Sequence, residues 1–179
     1  MNDNMIRTDK FARAVAYACK LHDGTFRDDG KTPYGVHPIR VAEHLRRIAG
    51  EQDENMLCAA ILHDTVEDTA VNYDDVALEF GDDIATLVAE LTVDRRLPKA
   101  RRRAAMIEHL PQLSERAKKI KLADRLDNVT DLVNGTGKKE KRARYIEETE
   151  RLLHALSGAC EPLERALRAA LQNLRDMPQ

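Results

Sequence analysis

The sequence predicts an all-α fold of packed helices, organised as a single domain over residues 1–179, and three observations predict it. Apolar residues recur every three or four positions through most of the chain, which is the period of a buried helix face. Capping residues and glycine or proline stops fall at the ends of those runs. No segment alternates apolar and polar residues with the period of a strand. Aromatics are only 4% of the 179 residues and Trp is absent, so the core is drawn mainly from Leu, Ala, Ile and Val. A chain of this length can bury a substantial core in one unit.

The elements follow in order. Thr8 is a cap for a helix through Phe11, Val15, Ala18 and Cys19 that ends near Gly24. Residues 24–36, GTFRDDGKTPYGV, read as a loop, because glycines, a proline and charged pairs leave little to pack. Pro38 suits the first turn of a helix carrying Ile39, Val41, Ala42, Leu45 and Ile48 and stopping at Gly50. Asp53 caps a helix through Met56, Leu57, Ala60 and Ile61 that leads into His63 and Asp64. A short helix over 74–80 is closed by Gly81, and another runs through Ile84, Leu87, Val88 and Leu91. Residues 93–103, VDRRLPKARRR, read as a basic connection, followed by a helix to about Leu110. Ser114 caps a long helix containing Ile120, Leu122, Ala123, Leu126, Val129 and Leu132. NGTGKK at 134–139 is a link, and two helices cover about 140–157 and 160–175.

Composition excludes several classes of function. With 29 Lys plus Arg against 31 Asp plus Glu, the net charge of −2 creates no overall field for nucleic acid or an acidic membrane. Recognition of an anion must be local. The three cysteines, Cys19, Cys58 and Cys160, lie far apart within apolar helical patterns and read as buried free thiols. No secretory signal and no apolar run long enough for a bilayer is visible, which predicts a cytoplasmic protein. Oligomeric state is not legible.

The chemistry centres on HDTVED, His63 to Asp68, at the end of an apolar helix. At helical spacing His63 and Glu67 share one face, and Asp64 and Asp68 the next. An apolar approach into four ionisable groups is costly unless a cation neutralises the carboxylates, and imidazole plus carboxylate suits Mn, Fe or Zn better than Ca. Asp124 sits among Ile120, Leu122, Ala123 and Leu126, where a lone carboxylate needs a partner, either Lys121 or Arg125 or a metal. His37, in PYGVHP, is held between Pro33 and Pro38. Two nitrogens and two carboxylates, from His37, His63, Asp64 and Asp124, leave water positions open on a metal, as catalysis requires. Glu67 or Asp68 can take a proton from the attacking water. His22, His44, His109 and His154 have no carboxylate cluster nearby in sequence and read as structural or surface residues.

The pattern His37, His63-Asp64, Asp124 resembles the HD phosphohydrolase superfamily. The strings PYGVHP, ILHDTVEDT, FGDDIATLV, LTVD and IKLADRLDN, across about residues 10–133, resemble the hydrolase domain of the RelA/SpoT alarmone enzymes. LPKARRR, the chain length and the short helical tail resemble the single-domain small alarmone hydrolases of the metazoan SpoT-homologue kind. The resemblance implies an HD-domain bundle of about ten helices and one Mn²⁺ on His37, His63, Asp64 and Asp124, a donor set that Zn²⁺, Fe²⁺ or Co²⁺ would also accept. It implies that Glu67 and Asp68 work on the attacking water, and that a small-molecule nucleotide is the substrate. The activity implied is hydrolysis of the 3′-diphosphate of guanosine 3′,5′-bis(diphosphate), ppGpp, or of pppGpp, giving pyrophosphate and GDP or GTP. Asn128, Arg27, Lys99, Lys141 and Tyr145 match positions that contact the nucleotide or its phosphates. The chain departs from the family at Arg27-Asp28, where an Arg-Lys pair is usual; Lys31 would substitute, or a phosphate contact is lost. That departure keeps other substrates open, namely the 2′-phosphate of NADPH or ppApp. The remaining alternative is an alarmone sensor without catalysis.

Overall fold

The computed structural model describes residues 9–94, 96–135 and 139–178. Among them the chain forms ten α-helices: α1 (Lys10–Leu21), α2 (Val36–Ile48), α3 (Glu54–Leu62), α4 (Thr65–Asp68), α5 (Tyr73–Phe80), α6 (Asp82–Leu91), α7 (Lys99–His109), α8 (Glu115–Asn134), α9 (Lys139–Ala155) and α10 (Glu161–Asp176). A 3-10 turn at Leu110–Gln112 separates α7 from α8. The described residues contain no strand, only an isolated antiparallel bridge between Phe26 and Pro33. None of the described helices is long and apolar enough to cross a membrane.

Helix α3 lies at the centre. Every residue from Met56 to Leu62 is buried. A helix apolar all round belongs in the core, and this one packs on α1, α2 and α6. Helix α8 packs between α2 and α10, burying Ile120, Leu122, Ala123, Leu126 and Val129. Leu163, Leu167, Leu171 and Leu174 form the buried stripe of α10. The site is assembled where α2 begins, α3 ends and α8 reaches its midpoint.

The caps explain the boundaries. Asp53 accepts hydrogen bonds from the N–H groups of Asn55 and Met56 at 2.9 and 3.3 Å, opening α3. Ser114 accepts from Ala117 N–H at 3.2 Å, opening α8. Gly81, at φ 93°, joins α5 to α6 in a conformation that costs any other residue strain. Asp53→Ala should lower stability by about 1 kcal/mol through loss of the cap, with little added by its ion pair to Arg116, whose two side chains are 34% and 39% exposed. Urea unfolding measures that difference.

Several expectations need correction. Thr8 lies outside the described residues, and Asp9 caps α1, accepting from Phe11 N–H at 3.1 Å. Residues 99–103 are helical, since Pro98 supplies a fixed φ at the start of α7 and Lys, Ala and Arg are good helix formers. His37 stands within the first turn of α2, not in the preceding loop. HDTVED is not one helix end: α3 stops at Leu62, the chain turns at His63 and Asp64, and α4 restarts at Thr65. Cys58 is buried, but Cys160 is half-buried and Cys19 exposed, because α1 buries the face carrying Ala14 and Ala18.

Candidate active site

Three ligand atoms, one each from His37, His63 and Asp124, lie within 4.8 Å of one another, and all three residues are buried. Asp124 Oδ1 stands 3.3 Å from His37 Nε2 and 3.8 Å from His63 Nε2. Asp64 Oδ2 faces the same point, 3.2 Å from His63 Nε2 and 3.7 Å from His37 Nε2. The other oxygen of Asp124 is 2.9 Å from Lys121 Nζ, so the carboxylate has both the ion pair and the imidazole neighbours that its sequence context allows.

Contacts behind the histidines set their tautomers. His37 Nδ1 is 2.7 Å from Asp127 Oδ2, and a carboxylate only accepts, so Nδ1 carries the hydrogen. His63 Nδ1 donates likewise to the carbonyl of Ala60 at 2.8 Å. Both Nε2 atoms are thereby left to face the acids, which is the arrangement found behind metal-bound histidines. Nε2 of His63 is buried and makes no hydrogen bond. Burial opposes charge on His63, but Asp64 and Asp124 outweigh it and hold its pKa up to about 10. Burial also opposes charge on His37, and Asp124 and Asp127 raise its pKa. Burial acts against charge on Asp124 too, yet Lys121, His37 and His63 keep it ionised well below the usual carboxylate range. Protons on the imidazoles are thus the local counter-charge to the carboxylates. A divalent cation on the Nε2 atoms would serve the same purpose, so the donor set fits a metal.

The other acids flank this point in a cleft of about 610 Å³. Glu67 is 3.3 Å from Arg102 Nη1. Asp68 is 3.5 Å from the hydroxyl of Tyr34, which donates to Asp64 Oδ2 at 2.5 Å. Burial, and then the nearby Asp64, push the Asp68 pKa up; burial chiefly raises that of Glu67 against the pull of Lys121. Arg27, Asn128, Lys141 and Tyr145 all line the cleft. Arg27 donates to Asn128 Oδ1 and to Asp131, each at 2.8 Å, and Asn128 donates to Asp124 Oδ1 at 2.5 Å. Lys141 is 2.5 Å from Asp28. The Lys99 side chain and Arg95 lie outside the described residues.

The loop before α2 delivers two of these groups. Asp29 accepts from the N–H groups of Lys31 and Thr32 at 2.9 and 2.8 Å, making a tight turn that brings Phe26 against Pro33. Arg27 then lies 5.5 Å from the Tyr34 ring. Sequence reasoning gave no role to Tyr34 or Asp127. Both carried a signal: Asp127 lies one helical turn after Asp124, and Tyr34 three residues before His37. Of the four remaining histidines, two approach the site. His22 is buried against Tyr34, ring centroids 4.6 Å apart, and His44 Nε2 is 3.4 Å from Asp127. Arg102 and Arg103, in the segment read from sequence as a basic connection, belong to α7 and line the cleft.

The chain is similar to known proteins over most of its length. The family model described as HD domain matches residues 14–159. The guanosine-3′,5′-bis(diphosphate) 3′-pyrophosphohydrolase MESH1 of Homo sapiens is 42% identical over 159 residues, 87% of this chain and 89% of that protein. Its counterpart in Xenopus tropicalis is 40% identical over 158 residues, 86% of this chain and 88% of that one. A solved structure described as a metazoan ortholog of SpoT that hydrolyzes ppGpp superposes with a TM-score of 0.88 at 38% identity, covering 94% of this chain and 97% of its own.

Proposed function

The chain belongs to the HD-domain family, and from that premise we propose that it is a metal-dependent hydrolase that removes the 3′-diphosphate of ppGpp and pppGpp, releasing pyrophosphate and GDP or GTP. The observation that carries the reading is the convergence of His37, His63 and Asp124, faced by Asp64, in a cleft of about 610 Å³, a volume suited to a nucleotide. The names of the relatives supply the substrate class.

His37, His63, Asp64 and Asp124 would hold the ion, Mn²⁺ being the one the family resemblance implies among those this donor set accepts. Bound there, a divalent cation acidifies water and offsets phosphoryl charge. The chain's own groups do the rest. Glu67 or Asp68 accepts the proton of the attacking water. The water oxygen bonds to the phosphorus on O3′, the P–O3′ bond breaks, and O3′ takes a proton as pyrophosphate leaves. Tyr34, whose pKa is raised by burial and by Asp64, stays protonated and holds the Asp64 carboxylate in place. Arg102 and Lys121 carry positive charge beside the reacting phosphoryl group. Arg27 and Asn128 orient the nucleoside, Lys141 and Tyr145 cover the nucleotide, and Lys99 is assigned to the far phosphate.

The base must be ionised to act, and burial raises the pKa of both candidates. The acid limb of kcat/KM should therefore fall above the ordinary carboxylate range of about 4, with activity lost as pH drops through it. A limb at or below that range would remove Glu67 and Asp68 as candidate bases. The direct test incubates purified protein and Mn²⁺ with ppGpp, pppGpp, ppApp and NADPH and identifies the released group. Pyrophosphate from ppGpp supports the proposal. Orthophosphate from NADPH alone, or tight ppGpp binding without turnover, would overturn it.

A further inference from the structure

His22 takes no part in the chemistry above, yet it is buried beside the site, at the residue that closes α1. Its Nε2 is buried with no hydrogen-bond partner. What the imidazole does have is a ring partner. His22 and Tyr34 pack with centroids 4.6 Å apart and planes 33° from parallel. Tyr34 meets His37 edge-on at 5.8 Å, and His37 meets His63 edge-on at 5.3 Å. These separations fall within the range of about 4.5–7 Å at which aromatic rings attract. Four rings thus follow one another from the end of α1 to the metal centre, and His22 is the far end of the column.

Tyr34 is where that column acts. Its hydroxyl donates to Asp64 Oδ2 at 2.5 Å and stands 3.5 Å from Asp68 Oδ2. The tyrosine belongs to the loop before α2, so no helix fixes its ring from its own side. His22 reaches it by two routes. The His22 carbonyl accepts from the N–H and hydroxyl of Thr25, at 3.1 and 2.6 Å, and the Thr25 carbonyl accepts from Tyr34 N–H at 2.9 Å. The second route is the ring face. A side chain is held in a productive geometry when packing locks its rotamer, and the imidazole supplies that packing. Burial lowers the His22 pKa against the pull of Asp64 and Asp68. The ring is therefore uncharged near neutral pH and does not compete with the tyrosine hydroxyl for Asp64.

We propose that His22 is a positioning residue, whose ring holds Tyr34 against Asp64 and so aims the Asp64 carboxylate at the Nε2 atoms of His37 and His63. Because Nε2 of His22 bonds to nothing in the protein, the ring face is the part that acts. The role rests on the metal-centre reading above, since Asp64 is the group being aimed.

The first test needs neither metal nor turnover. Tyrosine ¹³Cζ NMR in EDTA reports the hydrogen bond of each phenol. The chain has four tyrosines, and the Tyr34 signal is the one lost in Tyr34→Phe. His22→Ala should move that signal toward the position of free tyrosine, and His22→Phe should leave it in place. An unmoved signal in His22→Ala overturns the proposal. Should His22→Ala not fold, His22→Leu takes its place, filling the space without an aromatic face. The second test is calorimetric titration of Mn²⁺. His22→Ala should weaken Mn²⁺ binding about tenfold, the lower end of the range for residues behind a ligand, while His22→Phe stays near wild type. Introduced into Tyr34→Phe, His22→Ala should weaken binding no further, because the hydroxyl through which it acts is already gone. A purely structural His22 would give the same loss in both backgrounds, and His22→Phe binding as weakly as His22→Ala would exclude the ring face; either result overturns the proposal. If wild-type protein takes up no Mn²⁺, the metal reading fails, while the NMR still decides whether His22 holds Tyr34.

Discussion

Asp64→Asn should abolish turnover and release the metal, whereas Glu67→Ala should abolish turnover and keep it. The two acids sit only three residues apart, yet the turn between α3 and α4 sends them to different places. Asp64 Oδ2 faces both histidine Nε2 atoms at 3.2 and 3.7 Å. Its amide replacement loses a negative charge against the ion and presents a donor where an acceptor is needed. Metal-assisted hydrolysis gains several kcal/mol from the ion, and each 1.4 kcal/mol is tenfold in rate, so kcat should fall by at least ~10³. Glu67 instead points toward Arg102 and the Val93 N–H, at 3.3 and 3.5 Å, away from the imidazoles. Its loss removes a proton acceptor and leaves the donor set complete. Bound metal measured by elemental analysis after gel filtration, alongside kcat, separates the two. Full metal retention in Asp64→Asn would exclude Asp64 as a ligand, and metal loss in Glu67→Ala would move Glu67 from base to ligand.

What could be read in advance followed a physical rule. His63, Asp64 and Asp124 stand out because each interrupts an apolar helical run, and a polar group in such a run needs a partner. Every helix but α4 was legible, and so were the caps Asp53, Ser114 and Gly81, because these act on backbone groups a few residues away. Contacts made through space were not legible. Asp127 reaches His37 across 90 residues and Tyr34 reaches Asp64 across 30. Their spacing from Asp124 and His37 was a hint, but it named neither partner. Arg102 and Arg103 were misjudged for a different reason. They lie in a segment read as a basic connection, whereas α7 begins at Lys99 and holds both against the cleft. Asp28 shows the same limit: its charge is plain in the sequence, but its pairing with Lys141 across the cleft mouth required the fold.

Asp127→Asn should weaken metal binding by about 10–100-fold although Asp127 has no atom in the donor set. The carboxylate is 1% exposed, takes hydrogen bonds from His37 Nδ1 at 2.7 Å and Arg40 Nη2 at 3.0 Å, and has His44 Nε2 at 3.4 Å. Its charge makes the His37 ring more basic and fixes the tautomer that leaves Nε2 free. An amide does neither well, since it can turn its own N–H toward the ring and favour the wrong tautomer. Stability should fall as well, by roughly 1.5–3 kcal/mol for a hydrogen bond to a charged group. That loss carries a pH signature. Burial alone would raise the Asp127 pKa, but His37, His44 and Arg40 outweigh it and hold the folded value below the ordinary range. A carboxylate depressed in the folded state stabilises above its unfolded pKa of about 3.9 and loses that contribution as pH falls toward the folded value. The gap in unfolding free energy between wild type and Asp127→Asn, measured in EDTA, should therefore be full near neutral pH and shrink below about pH 4. Unchanged metal affinity together with a pH-independent gap would mean that Asp127 only packs behind His37 and does not tune it.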